Sequence, residues 1–131
     1  VVHCAADGLK SAPLVPVSLA VADLKGAPGR AALEAYVLGF EIEGVLGRRM
    51  QPRHYQRGWH PTSTLGTLGA AAAAIRLLGL DPERAAHALA IAASQASGLK
   101  ENFGTMIKPL HAGLAAQNGV TAALPSTSST G

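Results

Sequence analysis

His60-Pro61-Thr62-Ser63-Thr64-Leu65-Gly66-Thr67-Leu68-Gly69, then Ala70 to Ala74, then Ile75-Arg76-Leu77-Leu78-Gly79-Leu80-Asp81-Pro82-Glu83, is the stretch on which the fold turns. Pro61 is suited to a first helical position, because its fixed φ is helical and its missing N–H would have had no partner there. Gly79 supplies a stop. Asp81 then stands as an N-cap, Pro82 opens the next helix, and Glu83 puts a negative charge in its first turn. The spacing predicts two consecutive helices, Pro61 to Leu78 and Pro82 to Ala96, the first rich in alanine and glycine. Such a helix belongs where neighbouring backbones come close. Leu65 to Leu80 is too short for a membrane span and carries Arg76, so it reads as a buried helix.

Composition agrees. The 131 residues are 48% apolar, but only two Phe, two Tyr and one Trp are among them. A sheet would draw on more β-branched and aromatic side chains, so a single all-α domain with one core is expected.

Working outward, Pro13 and Pro16 lead into a short helix, Val17 to Lys25, which Gly26 ends. Arg30 to Arg49 is expected to be the longest helix, with Leu33, Tyr36, Val37, Phe40, Ile42, Val45 and Leu46 at helical spacing and Glu34, Glu41 and Glu43 on other faces. Its Gly39, Gly44 and Gly47 point to close packing against a neighbour. Met50 to Trp59 and Leu99 to Ile107 have no period and read as loops. Pro109 opens a last helix through Leu124. The expectation is a compact bundle of about five helices over residues 1–124, with a disordered Ser/Thr tail over 125–131.

A net charge of +3 is spread along the chain, except where Arg48, Arg49, Arg53, His54 and Arg57 cluster. Such a cluster suits either a solvated segment after a helix C-terminus or the attraction of an anionic substrate. No helix-turn-helix, RNA-binding or zinc-finger pattern accompanies it, so no nucleic-acid partner is expected. The one cysteine, Cys4, excludes an internal disulfide and agrees with a reducing cytoplasm.

Each of the two irregular segments runs into a basic residue followed by proline: His60-Pro61 and Lys108-Pro109. A cation placed there sits at a helix N-terminus, where unpaired N–H groups and the helix dipole already favour an anion. Two such ends brought together would hold a small polycarboxylate. His60 is the candidate acid/base and Lys108 the candidate carboxylate anchor, and Thr62 and Ser63 could offer hydroxyl and N–H groups to the same anion besides capping the helix. His111, one turn further on, suits a bond within the core.

Gly58-Trp59-His60-Pro61-Thr62-Ser63-Thr64-Leu65-Gly66-Thr67-Leu68-Gly69, Leu77-Leu78-Gly79-Leu80-Asp81-Pro82, Ala92-Ala93-Ser94-Gln95-Ala96-Ser97-Gly98-Leu99, Glu101-Asn102-Phe103-Gly104-Thr105 and Lys108-Pro109-Leu110-His111-Ala112-Gly113 together resemble the MmgE/PrpD family. That family includes 2-methylcitrate dehydratase, cis-aconitate decarboxylase and iminodisuccinate epimerase. The resemblance implies part of the large helical domain of a homodimeric enzyme that acts on small di- or tricarboxylates with neither a metal nor an organic cofactor. It also implies that His60 and Lys108 match histidine and lysine positions of the family's active site. Where the family has a second active-site histidine this chain has Leu9, which cannot carry a proton, and the smaller lid domain of the longer relatives has no counterpart here. Two readings follow. One is a metal-free dehydratase or decarboxylase of a compound such as 2-methylcitrate. The other is a catalytically inactive helical module acting in dimerisation or protein interaction, with an exposed apolar patch.

Overall fold

In the computed structural model, residues 10–128 are described, and the helices within them are wound around a single central one. The order is α1 (Ser11–Lys25), α2 (Gly29–Met50), α3 (Arg53–Gln56), α4 (Pro61–Leu78), α5 (Pro82–Gln95), a 3-10 turn (Lys100–Asn102), α6 (Ile107–Ala123) and a second 3-10 turn (Pro125–Thr127). Helix α4 is the hub: α1, α2, α5 and α6 all pack on it. Ala70, Ala71, Ala73 and Ala74 are wholly buried on it. A helix surrounded on every side has no solvent face to keep polar, which accounts for its nearly continuous run of small and apolar residues.

The punctuation around α4 and α5 is as the sequence predicts. Pro61 and Pro82 occupy first-turn positions, Gly79 ends α4 in the left-handed region (φ 66°), and the Asp81 carboxylate accepts from the Arg84 N–H at 2.9 Å. Close approach is what the glycines provide. A Cβ on Gly119 of α6 would come within 2.6 Å of the Ala71 backbone nitrogen, and one on Gly39 of α2 within 2.7 Å of the Gly69 carbonyl oxygen.

Elsewhere the structure corrects the expectation. Helix α1 begins at Ser11, not at Val17, with Pro16 inside it. Pro13 falls among the first N–H positions, which have no intrahelical partner, and Pro16 forgoes one bond. The buried set Leu14, Val17, Ser18, Val21 and Ala22 has helical spacing, so core packing carries the helix through both prolines. In α2 the buried side is Ala35, Gly39, Glu43, Gly44 and Gly47, while Leu33 is 67% exposed and Val37 55%. Contact with α4 selects small residues, and Glu43, expected on another face, is carried into the interior. The Met50–Trp59 segment contains α3, preceded by a cis peptide between Gln51 and Pro52. Helix α6 starts two residues before Pro109 because the Thr105 hydroxyl accepts from the Ile107 N–H at 3.2 Å. The start of the tail is a 3-10 turn whose Thr127 carbonyl accepts from Arg84 at 3.3 Å. The expectations on Cys4, Asp7-Gly8 and Leu9 lie outside the described residues.

Candidate active site

Two loops far apart in sequence are sewn together beside the N-terminus of α4. The His60 N–H donates to the Gly98 carbonyl at 2.9 Å, the Lys100 N–H donates to the Gly58 carbonyl at 2.8 Å, and Trp59 and Leu99 form an antiparallel bridge between them. Gly58 (φ 98°) and Gly98 (φ 117°) hold backbone conformations that a side chain would resist. Gly98 also leaves room for its neighbours: a Cβ there would lie 2.6 Å from the Ser63 side chain.

This stitching buries His60 to 6% exposure at the N-cap of α4 and brings its ring against α6. Its Nδ1 lies 2.9 Å from Nδ1 of the equally buried His111. Phe103, from the loop after the 3-10 turn, meets the His60 ring edge-on with centroids 4.7 Å apart, and the Lys108 ammonium stands 4.5 Å from the centre of the same phenyl ring. Thus His60 and Lys108 converge on one aromatic side chain. Removal from water lowers the His60 pKa to about 4, with the charges of His111 and Lys108 pushing in the same direction. The ring is therefore neutral near pH 7.

The helix ends themselves are more fully bonded than the sequence argument requires. The Ser63 and Thr64 N–H groups both donate to the His60 carbonyl at 3.0 Å, the Thr67 hydroxyl donates to the Ser63 carbonyl at 2.8 Å, and the Lys108 N–H donates to the Thr105 carbonyl at 3.3 Å. Thr62 and Ser63 are each 4% exposed, Ser63 lying against Gly98, whereas Lys108 is exposed in the first turn of α6. From the basic cluster, His54 reaches the site from α3. Its Nε2 is 2.6 Å from the Thr64 hydroxyl, which in turn donates to the His60 carbonyl at 3.3 Å, and its ring stacks on Trp59. Burial lowers the His54 pKa. Beside these groups a cavity of about 280 Å3 is lined by Met50, His54, Trp59, Thr64, Leu65, Leu68, Ala93 and Ala96. Among the described residues no three His, Cys, Asp or Glu side chains converge as a metal-ligand set, and no helix is long and apolar enough to cross a membrane.

Phe103 and the joining of His111 to His60 are what sequence reasoning missed. Neither has a local spacing that announces it, since the partners come from separate elements.

The family model of the MmgE/PrpD N-terminal domain matches residues 2–128. The chain belongs to the MmgE/PrpD family. Among its relatives, the cis-aconitate decarboxylase of Homo sapiens is 39% identical over 118 residues, which is 86% of this chain and 24% of that protein. The cis-aconitate decarboxylase of Mus musculus is 38% identical over 110 residues, covering 83% of this chain and 22% of that protein. A cis-aconitate decarboxylase-like protein of Aspergillus oryzae is 34% identical over 131 residues, covering 93% of this chain and 27% of that protein. The chain spans about a quarter of the length of these relatives. The all-α architecture is the helical one expected of an MmgE/PrpD domain.

Proposed function

We propose that this MmgE/PrpD domain forms part of a lyase that decarboxylates or dehydrates a small di- or tricarboxylate, with His60 as acid/base and Lys108 as carboxylate anchor. The observation that carries this reading is the convergence of His60 and Lys108 on Phe103 from separate helices. The relatives favour cis-aconitate over 2-methylcitrate as the first compound to try, since those compared bear the name of cis-aconitate decarboxylase.

The chemistry follows from charge. Loss of CO2 leaves an electron pair on carbon beside a remaining carboxylate, and loss of water begins with removal of a proton from such a carbon. In both, negative charge spreads onto a carboxylate, where a fixed ammonium such as Lys108 lowers its energy. A neutral imidazole can take the proton in dehydration. In decarboxylation a proton must reach carbon, and a bound polyanion favours the imidazolium form that supplies it. Thr62 and Ser63, buried in the first turn of α4 next to His60, are the further polar groups assigned to substrate binding in this reading. No metal or organic cofactor is assigned a role, and a homodimer is the assembly proposed.

Calorimetric titration of the chain with cis-aconitate, citrate and 2-methylcitrate, beside His60→Ala and Lys108→Ala, tests the reading. Binding in the micromolar range that weakens at least tenfold in Lys108→Ala is the expected result. Absence of binding to a folded chain would favour the second reading, an inactive helical module in dimerisation or protein interaction, for which the exposed Leu33 and Val37 speak.

A further inference from the structure

We propose that His111 is a positioning residue that shares one proton with His60, so that the two buried imidazoles work as a single acid/base unit. This inference rests on the role of His60 proposed above. The geometry is specific. Two Nδ1 atoms 2.9 Å apart can have one proton between them, because two N–H groups facing each other would repel and two bare nitrogens would leave both lone pairs unbonded. With Nδ1 committed to His111, His60 has Nε2 to offer a substrate.

Two neutral arrangements satisfy that bond. In the first, His60 donates from Nδ1, its Nε2 is bare, and it is a base; His111 then keeps its proton on Nε2. In the second, His111 donates from Nδ1, and His60 carries its proton on Nε2. When the first arrangement takes a proton from substrate carbon, the new bond is Nε2–H of His60. The Nδ1 proton can cross to His111, which becomes the cation while His60 returns to neutral with Nε2 protonated. Atoms and charge balance: one proton enters, the pair gains one positive charge, and the reverse transfer returns the proton to carbon. A second proton is disfavoured on His60 by its burial, by a positive charge already on His111 and by Lys108. The other titratable neighbours are engaged elsewhere: His54 on the Thr64 hydroxyl, and Lys100 over the Tyr55 ring at 4.4 Å.

A histidine whose only task is to fill the core would leave His60 titration unchanged when replaced by a hydrogen-bonding residue of similar shape. The test is the ring-nitrogen NMR spectrum of the full 131-residue chain, labelled at histidine and followed from pH 4 to 8, for the parent, His111→Asn and His111→Phe. In the parent, His60 and His111 should titrate together with one proton uptake between them. Asn can keep the bond to Nδ1 but cannot take a proton, so the His60 midpoint should rise and its titration become that of a single independent group. A His60 titration in folded His111→Asn that superimposes on the parent's overturns the proposal; His111→Phe repeats the comparison if the Asn variant does not fold. Adding cis-aconitate to the parent separates the two levels. Coupled titration with no response to cis-aconitate would overturn the substrate reading while the shared proton stands. A response to cis-aconitate with independent titration would do the opposite.

Discussion

Glu43 sits 1% exposed against Gly69 on the central helix, with its Oε1 lacking a hydrogen-bond partner. Burial pushes its carboxyl up from 4.5 to about 8, although the charge of Lys10 pulls the other way. Between those two pH values the folded chain holds a proton that the unfolded chain has released. Stability from this group is therefore complete below about pH 4.5 and falls as pH rises towards 8, by about 1.4 kcal/mol per pH unit. His60 has the opposite sign. Its pKa is depressed from 6.5 to about 4 on folding, so its contribution is complete above 6.5 and is lost as pH falls towards 4. Of these two groups, the slopes oppose each other between about 4.5 and 6.5, and only the Glu43 slope operates from 6.5 towards 8. Urea unfolding at pH 6.5, 7.2 and 8 should show falling stability in the parent and a flatter profile in Glu43→Gln. The Glu43 position marks a limit of sequence reading: a carboxylate on an amphipathic helix is ordinarily placed outside, and only the small residues of α4 opposite it explain why this one is inside.

At the level of elements, the boundaries that were legible are those marked by residues with a single local meaning. Pro61, Gly79, Asp81 and Pro82 each fix a backbone position by their own chemistry, so α4 and the start of α5 could be read directly. Pro13 and Pro16 have two meanings, entry or interruption, and the choice between them is made by burial of Leu14 and Val17, whose helical spacing with Val21 runs through Pro16 and outweighs it. His60 and Lys108 could be singled out one at a time, while the Phe103 contact that joins them could not. Gly98 is the element-scale test of the site. Gly98→Ala combines a φ of 117° with a Cβ 2.6 Å from Ser63, and should cost about 1–3 kcal/mol of stability while loosening the His60 N–H bond to residue 98. Gly104→Ala has a φ of 86° but open space around its Cβ, so thermal melting should show a smaller loss for it.

Over the whole molecule, small residues face inwards and several large ones face out. Leu33, Val37 and Leu38 line a groove along α2 with Arg30 near one end and Glu41 at the other. Two copies laid antiparallel across a two-fold axis would bury those side chains. Sedimentation of the isolated chain at increasing concentration is expected to show a dimer, and Leu33→Glu with Val37→Glu should shift it to monomer without loss of helix content. A parent that stays monomeric throughout would sink this arrangement. The central placement of α4 has its own consequence. Its peptide groups between Leu65 and Ala74 are roofed by four neighbouring helices, so no single helix can peel away and admit solvent to all of them. Deuterium can reach those amides only when the entire fold comes apart, which makes the chemically plainest segment of the chain its slowest clock.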